Sequence, residues 1–231
     1  MSNLSVSIIV PVWGPPELTD ACLTALNTTA PDVELVVIDN TGHYVLPDGV
    51  TVSRLLPQSE NIGCTGAKIL GVEKSSGEIL ITADCDTVAQ PGWLEALLSA
   101  FDDPAIAMAG PRLIYPDGRL QCACIRTYHG GGTAGGANRQ DEHPSNDEED
   151  GCTGASMAIR RSVYLAVGGI DPLFRNAYDD VDLDLAVKEA GYKIGYREDS
   201  VVMHHESSTG PERWQFAAEA VTYMNQKWGN R

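Results

Sequence analysis

The chain has 231 residues, 43% of them hydrophobic and 21% charged, enough to bury one substantial core without disulfide or metal staples. Thirty-two acidic against sixteen basic side chains leave a formal charge of −16, a field that repels phosphate backbones and anionic lipid headgroups. Binding to nucleic acid or peripherally to a membrane would need a local basic patch, which the sequence does not show, and an anionic small substrate needs a cation to escort it.

No run reaches the length of a transmembrane segment. The N-terminus lacks both the basic region and the apolar length of a signal peptide, so a cytoplasmic protein is expected. Cys22, Cys64, Cys85, Cys122, Cys124 and Cys152 show no paired C-x-x-C spacing and read as small buried thiols of a reducing compartment. Cys122 and Cys124 with His129 and Cys152 do not match the spacing of common zinc motifs.

The first half alternates strand and helix signals. Residues 6–12 (VSIIVPV) form a short apolar run ended by Gly14-Pro15-Pro16, the signature of a buried strand. Residues 17–27 carry Leu18, Cys22, Ala25 and Leu26 on one helical stripe. Residues 34–39 (ELVVID) predict a second strand and 50–56 a weaker third. The turn Asn61-Ile62-Gly63 opens a helix over 65–75. Residues 78–83 (EILITA) predict a strand, 91–101 a helix, and 105–109 a further strand. Short strands separated by helices indicate a parallel sheet covered on both faces, a doubly wound nucleotide-binding layer.

The second half differs. Residues 112–115 and 120–125 flank Pro116-Asp117-Gly118, a hairpin signal. Residues 128–151 are glycine-rich and then acidic, and are expected to form a mobile active-site loop, with plain disorder as the alternative. A strand over 153–159, a short helix over 161–167, a helix over 180–190, strands over 192–196 and 201–203, and an amphipathic helix over 212–228 complete the chain.

In a doubly wound sheet, ligands sit at the carboxyl ends of the strands. Asp39-Asn40, Asp84-Cys85-Asp86 and Pro11 fall at such ends. Two carboxylates at i and i+2 just past a strand both reach a hard divalent ion and its phosphates. The same spacing recurs at 180/182 and 182/184, so position, not pattern, singles out Asp84 and Asp86. His204-His205 follows a short apolar run, and a neutral imidazole suits a Mn²⁺-type ion beside carboxylates. Asp179-Asp180 opens a helix together with Asp182 and Asp184; the last two read as acids complementing the helix N-terminus. Crowded acids raise the proton affinity of at least one of them, which suits a base taking a proton from a hydroxyl.

These residues carry a resemblance over nearly the whole chain. The segments SIIVPVWGPPELTDACLTAL, ELVVIDNTG, ENIGCTGAKILGVEKSSGEILITADCD, PGWLEALL and TGASMAIRRSVYLAVGGIDPLFRNAYDDVDLDLAVKEAGYKIGYREDSVVMHH, in that order, are similar to the inverting, metal-dependent family 2 glycosyltransferases of GT-A fold. The resemblance implies an α/β fold, a doubly wound, mostly parallel sheet in one GT-A domain (1–231). It divides into a nucleotide-sugar-binding half (1–110) and a smaller acceptor-binding and catalytic half (111–231). It implies that Asp39 contacts the nucleoside, helped by backbone near Pro11, that Asp84 lies near the ribose, and that Asp86 holds Mn²⁺ or Mg²⁺ bridging the diphosphate. His204 is then the further metal ligand, with His205 as the fallback. Asp180 is the catalytic base, and Gly154-Ala155 lines the sugar pocket.

Three departures stand out. The acidic pair is Asp179-Asp180 where the family usually has Glu-Asp, Ile69 follows Lys68 where relatives often have Asn, and Ala83 precedes Asp84 in place of a bulkier residue. At Ile69 a polar contact near the diphosphate is either missing or supplied by Lys68 or Asn61. The expected reaction moves a sugar from a nucleoside-diphosphate sugar, UDP by default, to an acceptor hydroxyl. The acceptor is expected to be soluble or loosely membrane-associated. A nucleotidyltransferase is the first alternative, disfavoured because Val12-Trp13-Gly14-Pro15-Pro16-Glu17 lacks the basic glycine-rich loop that holds a triphosphate. A catalytically inactive binding module is the second.

Overall fold

The computed structural model describes residues 4–140, 151–206 and 215–231. Strands β1 (Val6–Val12), β2 (Glu34–Asp39), β3 (Arg54–Pro57) and β4 (Ile79–Ala83) pair in parallel in the order β3-β2-β1-β4. Helices α1 (Pro16–Thr29) and α2 (Gly63–Glu73) supply two of the crossovers. The sheet continues through β10 (Ser156–Arg160), β6 (Ile106–Ile114), β11 (Lys193–His204) and β5 (Thr87–Ala89), with β7 (Leu120–Cys122) paired to β6. Strand β10 runs antiparallel to both β4 and β6, while β11 runs parallel to β6. The start of β10 therefore meets the carboxyl ends of β1, β2, β4, β6 and β11 along one edge.

Alternation along β1 divides the core between the two faces of the sheet. Ile8 and Val10 pack with Leu23, Leu26, Val37, Trp93 and Leu97 beneath α1 and α3 (Trp93–Leu98). Ile9 faces the other way, packing with Val72, Met108, Val163, Leu183 and Val187. That second face is covered by α2, α4 (Arg161–Ala166) and α5 (Asp179–Glu189). Gly71 lets α2 approach closely, because a Cβ there would run into the Ile9 side chain. The α/β class and the strands over 6–12, 34–39 and 79–83 are as expected, whereas the third strand is shorter, at 54–57, and β5 is not among the predicted strands.

Several expectations are corrected. The glycine-rich stretch up to residue 140 is not a loop. Strands β8 (Cys124–Gly130) and β9 (Thr133–Arg139) form an antiparallel hairpin, turned at Gly131-Gly132, both with positive φ as a two-residue hairpin turn requires. Helix α6 (Ala217–Trp228) stabilises it: Asn225 Oδ1 accepts the Ala134 amide at 2.8 Å, and Met224 and Trp228 pack with Ile125 and Ala134. The acidic remainder of that expected loop, 141–150, lies outside the described residues. Residues 105–109 and 112–115 belong to the single strand β6. The two late strands are likewise one, β11, with an irregularity between Arg197 and Val201. The helix from Pro91 is shorter than expected and finishes in a 3₁₀ turn, Ser99–Asp102.

Candidate active site

One cleft of about 390 Å³ opens along the shared strand edge. It is lined from the first half by Pro11, Asn61, Lys68, Asp84 and Asp86, and from the second by Gly154, Ala155, Asp180 and His204. Strand β6 runs across the boundary between the halves, and backbone hydrogen bonds tie them together at the cleft. The Asp84 amide donates to the Ala155 carbonyl at 2.8 Å, and the His205 amide donates to the Asp86 carbonyl at 2.9 Å. Strand β5 pairs His204 with Thr87, so the antiparallel ladder brings the end of β11 beside Asp86.

Asp84, Asp86 and His204 each present one ligand atom, all within 4.8 Å of one another. His204 Nε2 lies 3.3 Å from Asp86 Oδ1, and both residues are buried. Burial pushes the Asp84 carboxyl up, and the neighbouring Asp86 adds to the rise against the pull of Lys68. Burial disfavours the charged His204 ring, yet the Asp86 contact outweighs it and its pKa is raised. Two hard carboxylate oxygens with one imidazole suit Mn²⁺ or Mg²⁺ by donor chemistry. A concentration of negative charge that close is what a cation would relieve.

The opposite wall is built on α5. Tyr178, just before the helix, is the one non-glycine residue with positive φ (67°) among the described residues. This left-handed kink, a costly conformation for a bulky side chain, swings Asp179 and Asp180 into the first helical turn at the cleft. Asp179 Oδ2 accepts from Lys68 Nζ at 3.2 Å, and Lys68, only 2% exposed, also lies 3.9 Å from Asp84 Oδ1. Asp180 Oδ2 accepts the Gly154 amide at 2.9 Å, and its Oδ1 accepts the Val181 amide at 2.8 Å. Burial raises the Asp180 carboxyl and Asp179 adds to the rise, more than these two donors and Lys68 lower it.

Residues 7–168 match the family profile of "Glycosyl transferase family 2". The chain belongs to glycosyl transferase family 2. The chain is 26% identical over 222 residues to the O-antigen biosynthesis protein RfbC of Myxococcus xanthus, covering 88% of this chain and 17% of that one. It is 30% identical over 188 residues to the N-acetylglucosaminyl-diphospho-decaprenol L-rhamnosyltransferase of Mycobacterium tuberculosis, covering 68% of this chain and 60% of that one. The chain therefore spans only part of each of these curated relatives. Among solved structures it superposes with a TM-score of 0.67 and 15% identity on GalNAc-T7 with UDP, GalNAc and Mn²⁺, over 87% of this chain and 43% of that one. That likeness shows the GT-A fold.

Asp39 ends β2, beside the cleft-lining Asn40. It is 1% exposed and absent from the cleft wall. Its carboxylate accepts the Thr41 amide at 2.8 Å, the Thr41 hydroxyl at 2.6 Å and the Tyr44 amide at 2.9 Å, which turns it into the loop after β2. The neighbouring Asn40 lines the cleft, with its amide bridging Ile62 and Gly63. Asp182 and Asp184 are also more than helix-end acids. Asp182 is buried against Lys227 and Trp228, and Asp184 accepts the Cys152 amide at 3.0 Å. Sequence reasoning missed Trp13, Cys64, Gln121, Asn176 and Glu206, all in the cleft wall. Gln121 alone left a trace, as a polar residue inside an apolar run. All six cysteines are free thiols, five of them buried. Among the described residues no helix is long and apolar enough to cross a membrane.

Proposed function

We propose that this glycosyltransferase transfers a sugar with inversion from a nucleoside-diphosphate sugar to an acceptor hydroxyl, with Asp180 as general base. The observation that carries this reading is the Asp180 carboxylate, held by the Gly154 amide on the wall of the cleft that also contains Asp84, Asp86 and His204. Those three residues would hold Mn²⁺ or Mg²⁺. When bound, the ion supplies electrostatic stabilisation for the charge growing on the departing diphosphate.

The chain's own groups do the rest. Pro11, Asn40 and Asn61 border the donor side of the cleft, where the nucleoside would lie, with Asp39 acting through the loop it organises. Lys68, locked between Asp179 and Asp84, keeps that wall from accumulating uncompensated charge. Gly154-Ala155 leaves room for the donor sugar, since a side chain at 154 would intrude on Lys68 and Asp180. The raised proton affinity of Asp180 matches it to a hydroxyl proton better than an ordinary carboxylate. Solved proteins of this fold hold UDP in GalNAc-T7 and GDP-Man in a mannosyltransferase of Pyrobaculum calidifontis, so the fold takes either nucleotide and uridine is the default by the family resemblance alone.

The reading is tested with UDP-, dTDP- and GDP-sugars, each with Mn²⁺ or with EDTA, following release of the nucleoside diphosphate. One donor is expected to be turned over slowly in water, and faster with an acceptor, only when the ion is present. No release from any donor, together with no ion-dependent thermal shift by any nucleoside diphosphate, overturns it in favour of an inactive module.

A further inference from the structure

Gln121 is a buried side chain that no step above uses. It sits on β7, 2% exposed, and meets His204 at two points. Its Nε2 donates to the His204 carbonyl oxygen at 3.5 Å, while its Oε1 lies 2.8 Å from His204 Nδ1. The carbonyl can only accept, which fixes the amide with its nitrogen toward the backbone and its oxygen toward the ring. An amide oxygen can only accept as well, so Nδ1 must carry the hydrogen. Nε2 is then the ring atom turned toward Asp86, at 3.3 Å from Oδ1.

We propose that Gln121 is a positioning residue that holds the His204 ring in the Nδ1–H tautomer and presents Nε2 to a divalent cation shared with Asp84 and Asp86. This deepens the metal reading of the site and rests on it. The hairpin joining β6 to β7 thereby becomes part of the cation site without contributing a ligand. Histidine ligands characteristically donate their other ring N–H to such a partner, and losing the partner costs about 10–100-fold in metal affinity.

The test is Mn²⁺ binding by calorimetry, in the presence of UDP, to the unsubstituted protein, Gln121→Met and Gln121→Glu, with Co²⁺ spectra as a second readout. Gln121→Met preserves bulk but removes the acceptor, and is expected to weaken Mn²⁺ by about 10–100-fold and alter the Co²⁺ spectrum. Gln121→Glu keeps an oxygen against Nδ1 and is expected to retain affinity within about threefold of the unsubstituted protein, a rescue that a merely space-filling role would not produce. If Gln121→Met does not fold, loss of Mn²⁺ binding by a folded Gln121→Glu overturns the inference, and retention supports it. Affinity unchanged in Gln121→Met overturns this inference alone. No Mn²⁺ binding by the unsubstituted protein overturns the metal reading and this inference with it.

Discussion

Gly154 donates its amide to the Asp180 carboxylate at 2.9 Å, and a Cβ at position 154 would lie 2.9 Å from Lys68 Nζ and 3.4 Å from Asp180 Oδ2. One residue without a side chain thus holds the proposed base and leaves space for the cation paired with its neighbour. Gly154→Ala should fold, because the nearest atom is the end of a flexible side chain, but Lys68 must retreat and the Asp180 wall shifts with it. Displacements of this kind cost catalysis steeply, so turnover is expected to fall by roughly 10–100-fold, with a smaller effect on nucleotide binding. Steady-state kinetics beside a nucleoside-diphosphate titration separates the two; an unchanged kcat removes the glycine from its role.

The first-half strands were legible because VSIIVPV, ELVVID and EILITA are continuous apolar runs that a parallel sheet covered on both faces demands. Asp84 and Asp86 followed from lying just past such a strand. His204 stood out locally only as an imidazole after a short apolar run, and its pairing with Asp86 came from the family resemblance, since nothing in that run says that β11 ends beside β5. The hairpin over 124–139 was hidden because GTAGGANR offers little β-branched side chain. Its order comes from α6, some ninety residues away, through Asn225, Met224 and Trp228. Asp39 was legible as a strand-end acid, but the bonds from the Thr41 hydroxyl and the amides of residues 41 and 44, which orient its carboxylate, depend on loop geometry that no local pattern encodes.

Asp180→Asn separates chemistry from stability. General-base assistance contributes about 10²–10⁴-fold, and the substitution should cost turnover in that range while donor binding persists. Burial and Asp179 disfavour the charged carboxyl in the folded protein, so neutralising it should leave the melting temperature unchanged or higher. Kinetics and a thermal melt at pH 7 are sufficient. Full activity, or a large fall in melting temperature, would assign the side chain a structural task instead.

The same raised proton affinity sets a pH dependence. Asp180 must be deprotonated to act, so kcat should fall as pH drops through its folded pKa, with the acid limb above the ordinary carboxylate range near pH ~4. A profile of kcat against pH in the presence of saturating Mn²⁺ reads it directly. In Asp180→Asn the residual rate should lose that limb; a limb that persists belongs to another group.

Lys68 is the buried cation of the cleft, paired at 3.2 Å with Asp179 and at 3.9 Å with Asp84. Removing one member of a buried ion pair leaves the other charge uncompensated, so Lys68→Met should destabilise the fold by about 3 kcal/mol. Adding Asp179→Asn should restore much of that loss, since an apolar or neutral replacement of both members is often tolerated. Urea unfolding of both single variants and the double variant measures the coupling. Additive effects would show that the two side chains act independently.

Away from the cleft, Asp171 ties α6 to the turn before α5. Its Oδ2 accepts from Lys227 Nζ at 2.8 Å and from the Tyr223 hydroxyl at 2.9 Å, and Lys227 also reaches Asp182. Burial would raise the Asp171 carboxyl, but Lys227, the Leu173 amide and Tyr223 together outweigh it and hold it below its usual value. A carboxyl depressed by folding stabilises the native state above its unfolded pKa, and that contribution disappears as pH falls through the folded one. Stability followed by urea unfolding should therefore decline on acidification below about pH 4 less steeply in Asp171→Asn than in the unsubstituted protein. The substituted protein should also be the less stable of the two at neutral pH, with the difference narrowing as acid protonates Asp171. Parallel slopes across that window would show that the Lys227 link does not favour the ionised carboxyl.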